Sequence, residues 1–495
     1  MNAHSTVGCQ SYRGGGPECI RNRRKRPFVL SRWSGIGIAF GRFVLLGSVL
    51  SGGKMEGQTR QEMPLLTPPA WLQLRNSTDN AGTVKATLNT SWHFKSRLPV
   101  RAVSVAAGMV LLGAESADAE TNSPSGDEQG SLTSLDASTG KLLWSRVVPS
   151  WIHSDALIYR GRVYATCGRW PMTHIGGLLA LDARTGNTLW TVAADAGMMP
   201  GAAIDTARGS ITVVGGDGLL STLRLMDGST LRSVGLMAAV GMSSVRLDSE
   251  GTAIVGAARV LTSYSTRTGR LNWTFEPRFG LRALGDVPIA LTDDLVFTTG
   301  SRSFGFMNAV RVLPFEQFLS LSRRALRTEK LRAIRSWFHE QWLIAVDRRT
   351  GQMMWRRPLG IGLSVPRNQS GTPVVVAGRV LVSSPISQTV WAFTAANGSV
   401  AWSHRLDAMH KGAVTIAGHD VVVGDKDGKM TLLRLVDGAL VGKCDGGSPF
   451  SVTAPLMVGK TMIVAMRDGN VWATPYDTLR SRAVHGLKCF RPDVP

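Results

Sequence analysis

No pair among the five cysteines (Cys9, Cys19, Cys167, Cys444 and Cys489) has the CxxC spacing of a zinc or dithiol redox site. Nor is there an HxH or HExxH among the nine histidines, a GxSxG, or a GxGxxG that follows a strand and opens a helix. These absences exclude the common zinc, serine-hydrolase and dinucleotide chemistries. Tyrosine is scarce, with five in 495 residues, whereas glycine numbers 55 and proline 22, so tight turns must be frequent. The hydrophobic fraction of 43% excludes a disordered chain.

Acidic residues are also few, and the net charge is +21. Its distribution argues against a nucleic-acid partner. Residues 1–54 carry nine Lys or Arg against Glu18, and residues 311–335 carry seven against Glu316 and Glu329. The remainder is spread thinly, without the basic stripe and interleaved aromatics that such binding requires.

No clean membrane span is present, since the apolar run from Ile36 to Leu50 is short of about 20 residues and is interrupted by Arg42. It does follow the basic cluster "RNRRKR", the order of a signal peptide or amino-terminal anchor. A periplasmic or membrane-anchored location in a bacterial envelope is therefore expected. No A-x-A cleavage site follows the run and no lipid-accepting Cys is visible; Met55 is an alternative start.

What is abundant is one phrase. "TSLDASTGKLLW" ends at Trp144, "LALDARTGNTLW" at Trp190, "TSYSTRTGRLNW" at Trp273, "IAVDRRTGQMMW" at Trp355 and "WAFTAANGSVAW" at Trp402. Aligned on their turn glycines (Gly140, Gly186, Gly228, Gly269, Gly351, Gly398 and Gly438), the copies recur every 40–47 residues, apart from one interval of 82. Each phrase follows an apolar hairpin such as "PVVVAGRVLVSS", so each unit holds four short strands. Four strands on a period in the low forties make a propeller blade. The chain is predicted to be all-β, an eight-bladed propeller over 90–480. A basic leader (1–54), a linker (55–89) and a carboxyl-terminal tail (481–495) flank it. The last blade lacks its own Gly and Trp, and "TSWHFKS", with Trp92 in the Trp position, should complete it and close the ring.

The pattern A-x-D-x-x-T-G-x-x-x-W resembles the docking motif of pyrroloquinoline-quinone (PQQ)-like repeat propellers. That resemblance implies a structural place between blades for Trp92, Trp144, Trp190, Trp273, Trp355 and Trp402. Arg232 and Gly442 stand where the third and seventh repeats lack Trp, so those junctions are expected to be less well specified. The resemblance spans two classes. One is non-enzymatic scaffolds, such as the lipoprotein of the outer-membrane barrel-assembly machine. The other is quinoprotein dehydrogenases, which oxidise alcohols or sugars with PQQ and calcium. This chain lacks the adjacent cysteines of many such enzymes. Its acidic candidates for calcium, Asp286, Asp293, Asp294, Asp425 and Asp427, sit in segments that read as turn formers. A protein-binding scaffold without cofactor or catalytic residues is the expected function.

Two insertions break the repeat. Glu115–Gly130 carries five acids and no base and reads as a solvated loop. Residues 307–341 account for the long interval and read as a basic amphipathic helix or helix pair. Phe315, Phe318, Arg323, Arg324, Arg327, Arg335 and Phe338 are candidates to dock a protein partner or an anionic membrane surface. Cys444 and Cys489 both fall near the end of the array and are placed to pair if the chain is exported.

Overall fold

The computed structural model describes residues 83–490, apart from 116–128, 169–175, 195–196, 199, 237–243, 258, 278–283, 285–286, 305–337, 364, 366–370 and 451–452. The described strands form eight sheets, seven of four strands and one of five. Each sheet of four is an antiparallel meander in chain order, which makes it a blade. Burial falls from the first strand to the fourth. In blade 1, Val100–Ala106 is almost wholly buried, whereas Leu142–Val148 exposes five of its seven positions. The first strands therefore line the axis and the fourth form the rim.

The eighth blade is closed by the start of the chain. Trp92–Lys95 pairs antiparallel with Asn470–Pro475, with Trp92 opposite Ala473, and supplies the missing outer strand. Thr83–Val84 adds a parallel fifth strand on the inner edge, with Thr83 opposite Met457. Between them the chain crosses the blade from axis to rim, held by bonds from Lys460 N to Leu88 O (2.9 Å) and from Thr90 N to Thr461 Oγ1 (2.9 Å). Among the described residues the ring thus reaches back to Thr83, ahead of residue 90; the two inner residues carry no repeat pattern.

The repeated phrase is the joint between blades. Each Trp indole N–H donates to the turn of the next blade: Trp92, Trp144, Trp190, Trp273, Trp355 and Trp402 bond the carbonyls of Ala137, Ala183, Leu225, Arg348, Ala395 and Leu435 at 2.8–3.2 Å. The turn glycine lies against the same indole. Gly140, Gly186, Gly228, Gly351, Gly398 and Gly438 have φ of +70 to +74°, and a Cβ there would fall 2.5–2.8 Å from the ring. Glycine is required twice over, by conformation and by contact. Asp136, Asp182 and Asp347 accept the backbone N–H of Thr139, Thr185 and Thr350 at 2.7–2.8 Å. Hydrogen bonds from Ser138 and Thr139, from Thr185 and from Thr350 hold these carboxyls below their ordinary range.

The two junctions without Trp use other devices. At the third, Arg232 lays its aliphatic stem over Gly269, with Val234 beside it. At the seventh, Gly442 leaves room for a helix, Tyr476–Val484, whose Ala483 carbonyl would stand 2.5 Å from a Cβ at 442. Cys444 and Cys489 are joined by a disulfide, with Cα atoms 5.0 Å apart. Residues 481–490 are therefore part of the ring's packing and not a free tail. Cys167 is a buried thiol, pushed up to about 11 by that burial.

Candidate interaction face

Successive turns of a meander alternate between the two faces of the ring. One face carries the first-to-second and third-to-fourth turns, all short. Arg160–Gly161 is one such turn, with both residues at positive φ, and the Asp-x-Thr-Gly turns are others. The opposite face carries the second-to-third loops and the blade-to-blade connections; the longest runs between strands, 116–129, 276–289 and 305–337, are among these, although five of the second-to-third loops have only four residues. Both insertions replace second-to-third loops, in blades 1 and 5. They are rooted on the same face and, four blades apart in a ring of eight, on opposite sides of it.

The blade 1 root is a buried charge cluster. The second strand, Met109–Glu115, ends in Glu115, whose Oε1 lies 2.5 Å from Arg101 Nε at the head of the first strand. Its Oε2 stands 2.7 Å from His153 Nε2, in the connection to blade 2, and Trp151 packs beside that imidazole at 5.7 Å. Burial pushes the Glu115 carboxyl up, but the close approach of His153, together with the Arg101 guanidinium, outweighs it and leaves the group below its ordinary value. The cluster fixes the point from which residues 116–128 leave the ring.

The blade 5 root is a hairpin longer than any other among the described residues. Its strands Leu295–Phe304, Phe338–Asp347 and Met353–Leu363 run ten, ten and eleven residues. Arg302 and Glu340 form an ion pair across it at 2.5 Å, and Arg356 lies 5.0 Å over the Trp342 ring. The projecting end leans on blade 6. Ser387 Oγ donates to Leu359 O at 2.7 Å, and a Cβ at Gly362 would lie 1.9 Å from Ile386 O. Gly362→Val should therefore lever the hairpin off blade 6. The expected cost is about 1–3 kcal/mol, with faster amide exchange at 359–363; unchanged exchange there would mean the hairpin does not rest on blade 6.

Of the residues expected to dock a partner, Phe315, Phe318, Arg323, Arg324, Arg327 and Arg335 lie outside the described residues. Phe338 is corrected. It is the first residue of a ten-residue strand and is fully buried, so it anchors the hairpin and is not a docking side chain. Residues 338–341, read as the end of the helical insert, are strand for the same reason: "FHEQWLIAVD" pairs along its full length with 295–304. The leader, residues 1–54, also lies outside the described residues.

Sequence reasoning missed the residue two positions after the Trp. Arg146 Nε donates to Gly186 O at 3.0 Å, and Arg357 Nε donates to Gly398 O at 2.7 Å, so each caps the next blade's turn. The recurrence of Arg in "WSR" and "WRR" was the available signal.

The acidic residues considered for calcium do not come together. Asp294 lies in a first-to-second turn of blade 5, where its carbonyl accepts Arg348 N. Asp425 lies in a second-to-third turn of blade 7, on the other face, and its carboxylate is occupied by Asp427 N (3.0 Å) and Lys429 N (2.9 Å). Asp286 is outside the described residues. Among the described residues no three His, Cys, Asp or Glu side chains are grouped to hold a metal ion. Among the described residues, then, Asp293, Asp294, Asp425 and Asp427 are not grouped as a calcium site would require.

The family model described as "Outer membrane protein assembly factor BamB" matches residues 83–302 and 339–478, so the blade 5 insertion falls between its two matches. The assembly factor BamB of Salmonella typhimurium is 28% identical over 133 residues, 26% of this chain and 31% of that protein. BamB of Yersinia pestis is 22% identical over 242 residues, 46% of this chain and 59% of that one. The chain thus spans about a third of the length of the first curated relatives it matches. BamB from Moraxella catarrhalis superposes with a TM-score of 0.53 at 15% identity, over 78% of this chain and 98% of that one. A quinohemoprotein alcohol dehydrogenase from Pseudomonas putida superposes at 0.51 and 12%, over 82% and 80%. At such identities the two structures show a shared fold alone.

Proposed function

The chain belongs to the family of the outer membrane protein assembly factor BamB, a PQQ-like propeller family, and on that premise we propose that it is a non-enzymatic scaffold in outer-membrane protein assembly. One observation carries this reading: the strands from which both insertions depart end on the same face of the ring, on opposite blades. Connections held by a stiff framework are where recognition is usually placed. The Glu115 cluster and the long blade 5 hairpin hold the roots of those connections in fixed positions, which lowers the entropy lost when a partner binds. The partner is a protein component of envelope assembly, with peripheral contact to an anionic membrane surface through the basic insert 307–337. The working location is the bacterial envelope, periplasmic or membrane-anchored, and no cofactor takes part.

The test is to cross-link the tagged chain in its own cells, fractionate the envelope and identify what co-purifies. Barrel-assembly components should be recovered, and recovery should fall when residues 307–337 are deleted while the ring still folds. A calcium-dependent absorbance change on adding PQQ, with dye-linked oxidation of an alcohol or sugar, would replace this reading with the dehydrogenase one.

A further inference from the structure

We propose that residues 476–490 form a redox-controlled latch over the seam between blades 7 and 8, closed by the Cys444–Cys489 disulfide. At this seam both halves of the usual joint are missing. Blade 7 has Gly442 in the Trp position, and blade 8 ends in the helix Tyr476–Val484 in place of a turn with its glycine. The helix takes over the space the Trp would fill.

Its hold on the ring is mostly apolar: Tyr476, Leu479 and Ala483, with Cys489 and Phe490 beyond the helix, join a core shared by blades 7 and 8, and Tyr476 N bonds Lys460 O at 2.8 Å. Tyr476 Oη and Arg480 Nε both donate to one oxygen, Asp420 Oδ2, at 2.7 Å, and only Tyr476, Leu479 and Ala483 of the helix are buried. A nine-residue helix is marginal by itself. Beyond it the chain returns to the rim of blade 7, where Cys489 N bonds Asp445 O at 2.8 Å and Asp445 N bonds Leu487 O at 3.2 Å. Phe490 then stacks on Trp472 with ring centres 5.4 Å apart. The disulfide is the one covalent tie of this segment to the rim strand Leu440–Asp445.

The ring does not need the segment to stay closed, because residues 83–95 already complete blade 8. Opening the latch would therefore release 476–490 as a local event. It would uncover the outer edge of Leu440–Asp445, an unpaired strand edge beside Trp472. Closure is thiol–disulfide exchange. The two thiols of this chain give up two electrons and two protons as their S–S bond forms, and the disulfide of an exchange partner is reduced to a dithiol. The latch closes where disulfides persist and opens where thiols are kept reduced. It operates whatever the ring binds.

Trypsin reads the latch directly, because Arg480 and Arg482 lie within the helix. In the full chain, reductant should speed cleavage at these two sites by about tenfold or more, with the strand signal in far-ultraviolet circular dichroism unchanged. The Cys444→Ser/Cys489→Ser double variant should be cut at that faster rate without reductant. Asp420→Asn should add further acceleration in the reduced chain and little in the oxidised one. Equal cleavage in the two redox states would overturn the proposal. So would loss of the whole strand signal on reduction, which would make the disulfide a staple of the entire ring.

Discussion

Replacing Trp355 by alanine should lower the unfolding free energy by about 3–5 kcal/mol, the largest loss expected at any of the six joints. Its indole fills the seam between blades 5 and 6, with Phe297 at 5.8 Å and Phe393 at 6.5 Å between ring centres. The indole N–H is buried and bonded to Ala395 O at 3.0 Å, so truncation also leaves that carbonyl without its partner. Arg357 lies 5.9 Å over the ring and caps Gly398, so its position depends on the indole as well. This seam further supports the long hairpin of blade 5. Trp190 offers a contrast, since it is only half-buried and its bond to Leu225 O is 3.2 Å; Trp190→Ala should cost clearly less. Gly398→Ala should approach the Trp355 effect from the other side, because its Cβ would lie 2.7 Å from the ring at φ +70°. Denaturant unfolding of the three variants gives the order. A Trp355 loss below about 1 kcal/mol would mean that the phrase is repeated for some reason other than joining blades.

Glu115→Ala should cost about 3–5 kcal/mol near neutral pH. Removing the carboxylate leaves the Arg101 guanidinium in a nearly dry site without its counter-charge. The pH dependence gives a second readout. Glu115 sits below its ordinary value of 4.5 in the folded chain, so its contribution is complete above that value. It is lost as pH falls through the lower folded value. The gap between wild type and Glu115→Ala should therefore narrow as the solution is acidified below about pH 4.5. A gap that stays constant down to acid unfolding would show that the carboxylate acts by packing and not by charge.

Local chemistry repeated many times was legible in the sequence. The glycine, the Asp before it and the Trp after it each have a reason that depends on a few neighbouring residues, and Asp136, Gly140 and Trp144 show all three. Ring closure was legible because Trp92 repeats the phrase outside the array. Features made by residues far apart and without a repeat were not. Thr83–Val84 carries no pattern, and nothing in Gly442 announces that Ala483 will lie against it. Phe338 was misread because its apolar neighbours fit a helical spacing as well as a strand; the pairing with 295–304 decides the matter, and pairing is not a local property. The Glu115 cluster joins residues 101, 115 and 153 from three segments, so no window of sequence contains it.

The proposed scaffold must meet its protein partner on the face that carries the second-to-third loops. Photo-activatable side chains placed one at a time at Lys426, exposed on the face of the second-to-third loops, and at Arg184, exposed on the opposite face, would be irradiated in intact cells. The proposed function predicts an adduct with an outer-membrane assembly component from position 426 and none from 184. Adducts from 184 alone, or no envelope adduct from either position, would contradict it.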